Sequence, residues 1–406
     1  MPFRIALSGL NAAQTDLSVT GNNIANASTT GFKRSRAEFA DVYAVAFEGI
    51  SDIATGNGVS VSAVSQNFSQ GNIDFTERNL DISVRGQGLF VLNDASGQAF
   101  SRAGAFHVDR DGNVVNQSAQ KLQVFPAVAG GGFNTGVLTD LKLSTSDGPP
   151  QATGLITASV NLSSTESPPA TAPFDPADPT SFNNSTSTVI YDSLGTAHTA
   201  TMYYVKTAVD NQWDVYQYVD GNVVPSGGAS PITMTFNPDG SLNGPLNIAY
   251  DAVPSGTGAN PIQFTLDYSN STQYGSPYAV NGLSQDGFTT GRLSGIDIDS
   301  EGVVFARFTN GQATPLGKIA LANFPNLQGL RQLGDTNWAQ TFESGDLLLG
   351  EANTASFGLI QSGALETSNV DIAESLVNLI TAQRNYQANA QVISAADTIT
   401  QTIINI

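Results

Sequence analysis

The stretch SNVDIAESLVNLITAQRNYQANAQVISAADTITQTIINI, residues 368–406, decides the fold. Ile372, Leu376, Leu379, Gln383, Tyr386, Ala390 and Ile393 follow one another at alternating steps of four and three, the seam of a helix laid along a partner helix. A strand would alternate every second residue. The seam continues as Ala396, Ile399, Ile403 and Ile406, with one short step that should locally overwind a supercoil. Ser368, followed three residues later by Asp371, predicts a capping box at the start, and no Gly or Pro interrupts the helix after it. At 1.5 Å per residue the helix would be about 55 Å long. Away from the seam stand amides such as Asn378, Asn385, Gln387, Asn389, Gln391 and Gln401, with Asp371, Glu374, Arg384 and Asp397 as the only charges. Amides are buried in pairs at far lower cost than charges, so this helix is suited to neighbours on several sides. The pattern alone also allows a terminal helix docked on its own domain.

The beginning of the chain repeats the pattern. Phe3, Leu7, Leu10, Gln14, Leu17, Gly21 and Ile24 also step by four and three, and each seam carries a glutamine at its fourth place, Gln14 and Gln383. The two ends therefore read as mates. Gly9, Asn11, Gly21, Asn22 and Asn23 are poor helix formers, so this helix is expected to form only when packed.

Composition narrows the function. The net charge of −19 disfavours a nucleic-acid partner and would be repelled by an anionic membrane surface. No window approaches a transmembrane span, so no membrane insertion is expected, and MPFRIALSGL lacks the apolar run of a secretory signal. The absence of cysteine removes disulfides, thiol catalysis and thiolate metal sites together. Only 13% of residues are charged, while Gly, Ser, Thr, Asn and Gln abound, a composition of β-rich extracellular proteins and of fibres.

Asn22-Asn23-Ile24-Ala25-Asn26-Ala27-Ser28-Thr29-Thr30-Gly31-Phe32-Lys33 resembles the N-terminal signature of the bacterial flagellar axial proteins, those of rod and hook. Ser368-Asn369-Val370-Asp371 and Ala382-Gln383-Arg384-Asn385-Tyr386-Gln387-Ala388-Asn389-Ala390 resemble the C-terminal signature of the same family. Two departures stand out: Ser375 where the family usually has an acid, which is Glu374 here, and Gln391 where a lysine is common. The family motifs around Gly86-Gln87-Gly88-Leu89-Phe90 and Ser101-Arg102-Ala103-Gly104-Ala105-Phe106 are matched too.

Between the ends the chain reads as β. Asp81 to Arg85 alternates, Leu89-Phe90-Val91-Leu92 is a buried run, and Phe106 to Val115 is two strands around an Asp-Gly turn. Pro149-Pro150 marks a boundary, Ser163 to Ser187 is an irregular connection, and Thr188 to Val219 holds further strands. Gly295 to Phe324, with its Asn310-Gly311 turn, reads as hairpins. Residues 32–70 fit a short helix or an extended arm equally well. The fold expected is mixed: an α-helical coiled-coil terminal domain formed by both ends, with nested all-β domains between them. Its parts are 1–31 with 368–406 as paired helices, 32–70 with 357–367 as a connecting arm, 71–144 with 286–356 as a β-rich middle domain, and 145–285 as a β-rich outer domain.

No reaction centre emerges. His107 and His198 lack a second histidine or a cysteine at ligand spacing, and both are expected to be structural or exposed. Asp297, Asp299, Glu301 and Gly302 imitate half of a calcium loop, but the twelfth position is Phe308. Gly311 to Lys318 imitates a phosphate loop with one residue too many and Ile319 after the lysine. Asp109 and Asp111 suit a hairpin turn better than a glycosidase pair. No enzyme, cofactor or metal is expected.

The resemblance implies a structural subunit that polymerises with itself into a hollow tube outside the cell. Insert residues from Val189 to Trp213 resemble the outer domain of the hook branch, which shorter rod proteins lack. The implied subunit is thus one of the bendable hook, acting as a universal joint between motor and filament. By the same resemblance its partners would be distal rod, hook cap and hook-filament junction proteins, with delivery through the flagellar export apparatus. A distal rod protein is the nearest alternative, and a secreted β-rich adhesin or glycan-active enzyme is one of another class.

Overall fold

Two long helices stand at the chain ends, α1 at Pro2–Ala25 and α2 at Ile372–Ile404, and strands fill the sequence between them. The computed structural model describes residues 2–42, 56–94, 97–128, 130–143, 147–256, 258–354 and 356–404. The chain divides into two units, one of 1–144, 295–307 and 313–406, the other of 145–294 and 308–312.

In the first unit the described part of the segment undecided by sequence, 32–70, contains an antiparallel pair of strands. β1 (Ser35–Asp41) pairs antiparallel with β2 (Val59–Gln66), with a bulge between Glu38 and Phe39, and Tyr43 lies outside the described residues. Next along the chain, β3 (Ile73–Phe75) pairs with returning residues Ala364–Glu366, and β4 (Ile82–Arg85) with Leu359–Ser362. The outgoing and returning chains are therefore zipped together in register. Farther on, the strand Ala313–Asn323 pairs with Leu89–Asp94 and with Lys121–Pro126. Phe90, Leu92, Leu122, Ile319 and Leu321 join one core cluster, while Leu89, Val91, Phe125, Ala320 and Ala322 join another. Alternate residues of one strand thus enter two cores, which is why Leu89 to Leu92 is apolar at every position.

The second unit carries a six-stranded sheet and a four-stranded one around a single large core. Its strands show clean period-two burial. From Ala197–Lys206 the inward residues are His198, Ala200, Met202, Tyr204 and Lys206, and from Gln212–Val219 they are Trp213, Val215, Gln217 and Val219. The Pro-rich segment before them is irregular up to Asn184, where the strand Asn184–Tyr191 begins. Phe174 of that segment stacks on Tyr216 at 4.0 Å between ring centroids, so the irregular chain is fixed to the sheet by aromatic contact.

One local expectation is corrected. Asp371, rather than Ser368, caps α2: its Oδ1 accepts the N–H groups of Ala373 and Glu374 at 2.8 and 3.1 Å. Ser368 is buried outside the helix, and its Oγ accepts the N–H of Val370.

Candidate assembly site

The helices α1 and α2 lie against each other. A methyl added to Gly9 would stand 2.6 Å from Asn389 Oδ1, while just beyond the end of α1 Arg34 bonds Asn369 and Glu374 at the start of α2. The pair is therefore antiparallel. Its deepest positions are small: Ala6, Ala13 and Ala382 are buried, and Gly9 meets Asn389 directly. Small side chains let two backbones approach closely, and this contact carries no signal in a search for large apolar residues.

Of the seam residues, Leu10, Leu17, Ile24, Leu379, Tyr386, Ala390 and Ile393 are half-buried. Phe3, Leu7, Gln14, Ile372, Leu376, Gln383 and Ile399 are exposed, and the side chain of Ile403 and the whole of Ile406 lie outside the described residues. Val377, Ile380 and Val392 add to the exposed apolar surface of α2. A lone pair of helices thus leaves apolar faces uncovered on both partners.

Below the pair, the signature residues build a neck. Asn23 is buried and clamps Ser35 both ways, its Oδ1 accepting the Ser35 N–H at 2.9 Å and its Nδ2 donating to the Ser35 carbonyl at 2.7 Å. Asn22 and Ala25 are exposed, and Asn26 donates to the Asn22 carbonyl at 2.9 Å in the last turn of the helix. Gly31 has φ +70°, and a methyl there would lie 2.5 Å from the Ala103 backbone nitrogen, so glycine is required by both conformation and space. Phe32 is half-buried, and Lys33 is wholly buried. From the C-terminal signature, Asn369 Oδ1 accepts the Arg34 N–H while Nδ2 donates to the carbonyls of Asn67 and Ser69.

At the centre of this neck is a carboxylate that no sequence motif marks. Glu366 is 0% exposed; its Oε1 accepts from Lys33 Nζ at 2.6 Å and from the Gly71 N–H at 2.9 Å, and its Oε2 from Arg102 at 3.1 Å. Lys33 also donates to the Ser69 carbonyl, and Arg102 to those of Val84 and Gly86. Burial pulls the pKa of both cations down against the opposing pull of Glu366. Nothing in the local sequence around Glu366 announces this, since its partners come from distant segments.

The acidic run at Asp297–Glu301 is a turn in which Asp299 Oδ1 accepts the N–H groups of Glu301 and Val303. Asp109 likewise caps its own hairpin turn through Asp111 and Asn113. Among the described residues no group of His, Asp and Glu is placed to hold a metal ion.

Helical termini folded onto each other above a hydrogen-bonded neck, with β units between them, are the marks of a structural subunit. The sequence profiles that match are "Flagella basal body rod protein" over residues 3–33, "Flagellar hook protein FlgE/F/G D1 domain" over 83–153, "Flagellar basal body protein FlaE D2 domain" over 161–288 and "Flagellar basal body rod FlgEFG protein C-terminal" over 361–406. The chain is 38% identical to the flagellar hook protein FlgE of Escherichia coli strain K12 over 100% of both chains, and 34% identical to that of Rhizobium meliloti over 100% of this chain and 98% of the relative. The crystal structure of Helicobacter pylori flagellar hook protein FlgE2 shares the fold, with TM-score 0.54 at 16% identity over 72% of this chain and 100% of that one. The chain belongs to the flagellar hook protein FlgE family. It is a structural component of the extracellular part of the flagellum and not an enzyme.

Proposed function

We propose that copies of this chain cover one another's exposed helical faces, so that the paired termini become the inner wall of a hollow tube. The observation that carries this is the set of large apolar side chains left exposed on both helices, Phe3 and Leu7 on α1 and Ile372, Leu376, Ile380 and Ile399 on α2. Each helix keeps exposed apolar residues once its small-residue face is taken by its partner, and these are available to a further helix. Under this reading 1–31 and 368–406 are the inner core, 32–70 and 357–367 the connecting arm, 71–144 and 286–356 the middle domain, and 145–285 the outer domain. Nested units joined through paired linkers shift against one another, which allows the tube to bend while it transmits torque. The family profile over 161–288 supports the hook over the distal rod, since that segment is the insert. The ends of the tube would meet distal rod, hook cap and hook-filament junction proteins, and subunits would arrive through the flagellar export apparatus. Negative-stain microscopy of concentrated protein tests the reading: tubes are expected, and their absence at every concentration short of precipitation refutes it.

A further inference from the structure

His198 stands on an inward-facing position of the strand Ala197–Lys206, 6% exposed, with both ring nitrogens against carboxylates. Nδ1 lies 2.6 Å from Asp220 Oδ2, and Nε2 lies 3.4 Å from Asp192 Oδ2. Asp192 is fully buried at the end of the preceding strand, and its Oδ1 accepts the N–H groups of Leu194 and Thr196 in the turn. Asp220 follows the strand Gln212–Val219, and its Oδ1 accepts the Thr199 N–H at 2.8 Å. The ring therefore joins two turns at one end of the six-stranded sheet.

A neutral imidazole carries a single N–H, so it satisfies one carboxylate and turns a lone pair toward the other. With both carboxylates ionised, both contacts are favourable only when the ring is an imidazolium donating from each nitrogen. Burial opposes that charge, and the hydrogen bonds and charges of Asp220 and Asp192 outweigh it, so the His198 pKa is raised. Among the described residues these two carboxylates are the charged groups acting on the ring.

We propose that protonated His198 is an ionic clamp in the second unit, and that losing its proton releases the Asp220 turn from the Asp192 turn, which makes the stability of this unit sensitive to pH. A folded-state pKa above the unfolded value of about 6.5 means that the contribution is complete below that value and disappears as pH rises through the folded value. The unit is thus tightest in mildly acidic to neutral solution and loosens toward alkaline pH.

The chain has two histidines, so imidazole resonances of the full-length, histidine-labelled protein give two titrations, and His107→Gln assigns them. The expected result is a His198 midpoint above about 6.5 and a downward shift of that midpoint in Asp220→Asn. The melting temperature of the second unit should fall between about pH 6.5 and pH 9, and this slope should flatten in Asp220→Asn. A midpoint at or below the ordinary value, a midpoint that ignores Asp220→Asn, or a melting temperature flat across that range would each overturn the clamp. His198→Gln supplies a further check where it folds, and Asp220→Asn, altering a half-exposed carboxylate, decides the matter where it does not.

Discussion

Lys33 and Glu366 are 333 positions apart and meet at 2.6 Å between Nζ and Oε1, both shielded from water. Sharing the carboxylate with Arg102 puts two cations and one anion in a dry neck. Such a cluster has to recover the desolvation of three ions, so its net contribution to stability is small next to its effect on geometry. What the cluster does fix is the pairing of segments distant in the chain, since Lys33, Gly71 and Arg102 all meet the one carboxylate.

Glu366→Gln keeps the shape and removes the anion, leaving Lys33 and Arg102 buried without it. Breaking a buried ion cluster by removing one partner costs about 3–5 kcal/mol. Denaturant unfolding followed in the first unit should show a loss of this order, and a loss under about 1 kcal/mol would mean that water enters the neck.

Gly31→Ala meets two obstacles, the positive φ and the Ala103 backbone nitrogen 2.5 Å from the new methyl. Left-handed conformation alone costs a non-glycine residue about 1–2 kcal/mol, and the backbone clash adds to it. Amide exchange should accelerate in α1 and around residues 31–35, with the second unit unaffected. Unchanged exchange would show that the neck relaxes without difficulty.

Two helix substitutions separate pairing within a chain from contact between chains. Ala382→Leu overpacks a position 1% exposed against α1, which costs about 1–3 kcal/mol and should raise amide exchange in both helices of the monomer. Leu376→Asp changes a side chain 46% exposed and should leave the monomer as it was. Both variants should fail to form tubes, as should Leu379→Asp and Leu10→Asp, while Gln387→Glu only weakens them. Normal tubes from Leu376→Asp would remove that face from the inner wall.

Subunits of net charge −19 repel one another at close range, so moderate salt should increase the yield of polymer. Light scattering across ionic strengths checks this. A steady fall in yield would show that ion pairs between subunits outweigh apolar burial.

The second unit is entered and left by neighbouring segments: the Gly148 N–H donates to the Gly291 carbonyl at 2.8 Å. Replacing the intervening residues by a short Gly-Ser bridge should therefore leave the first unit folded. Polymers of the shortened chain should persist with altered curvature. Loss of all polymer from a folded shortened chain would give the insert a role in joining subunits.

The terminal helices, the β character of the middle and the hairpins are legible in the sequence because each rests on local patterning or turn chemistry, as at Asp109 to Val115 and Asn310-Gly311. The closest contacts of the helical pair are not, because Ala6, Gly9, Ala13 and Ala382 are small and a search for large apolar residues passes over them. Glu366 is illegible for a different reason: its meaning lies in Lys33, Gly71 and Arg102, and no local period links them. Residues 32–70 are ambiguous because an antiparallel strand pair with exposed Phe39, Val61 and Val64 lacks the alternation that one buried face imposes. His198 reads as a lone imidazole because its two carboxylates lie in the turns before its own strand and after the next.

The zipped pairing of β3 and β4 with the returning chain also dictates an order of events during folding. Contacts between Gly9 and Asn389 close a loop that spans most of the sequence, and the entropy of closing it is a cost that α1, built from poor helix formers, does not offset unaided. Once the β strands have brought residues 31–35 beside residues 366–369, that loop is already closed, and each helix finds the other at high effective concentration. The helical pair should then grow outward from the neck, and it should be the last part to form and the first to open.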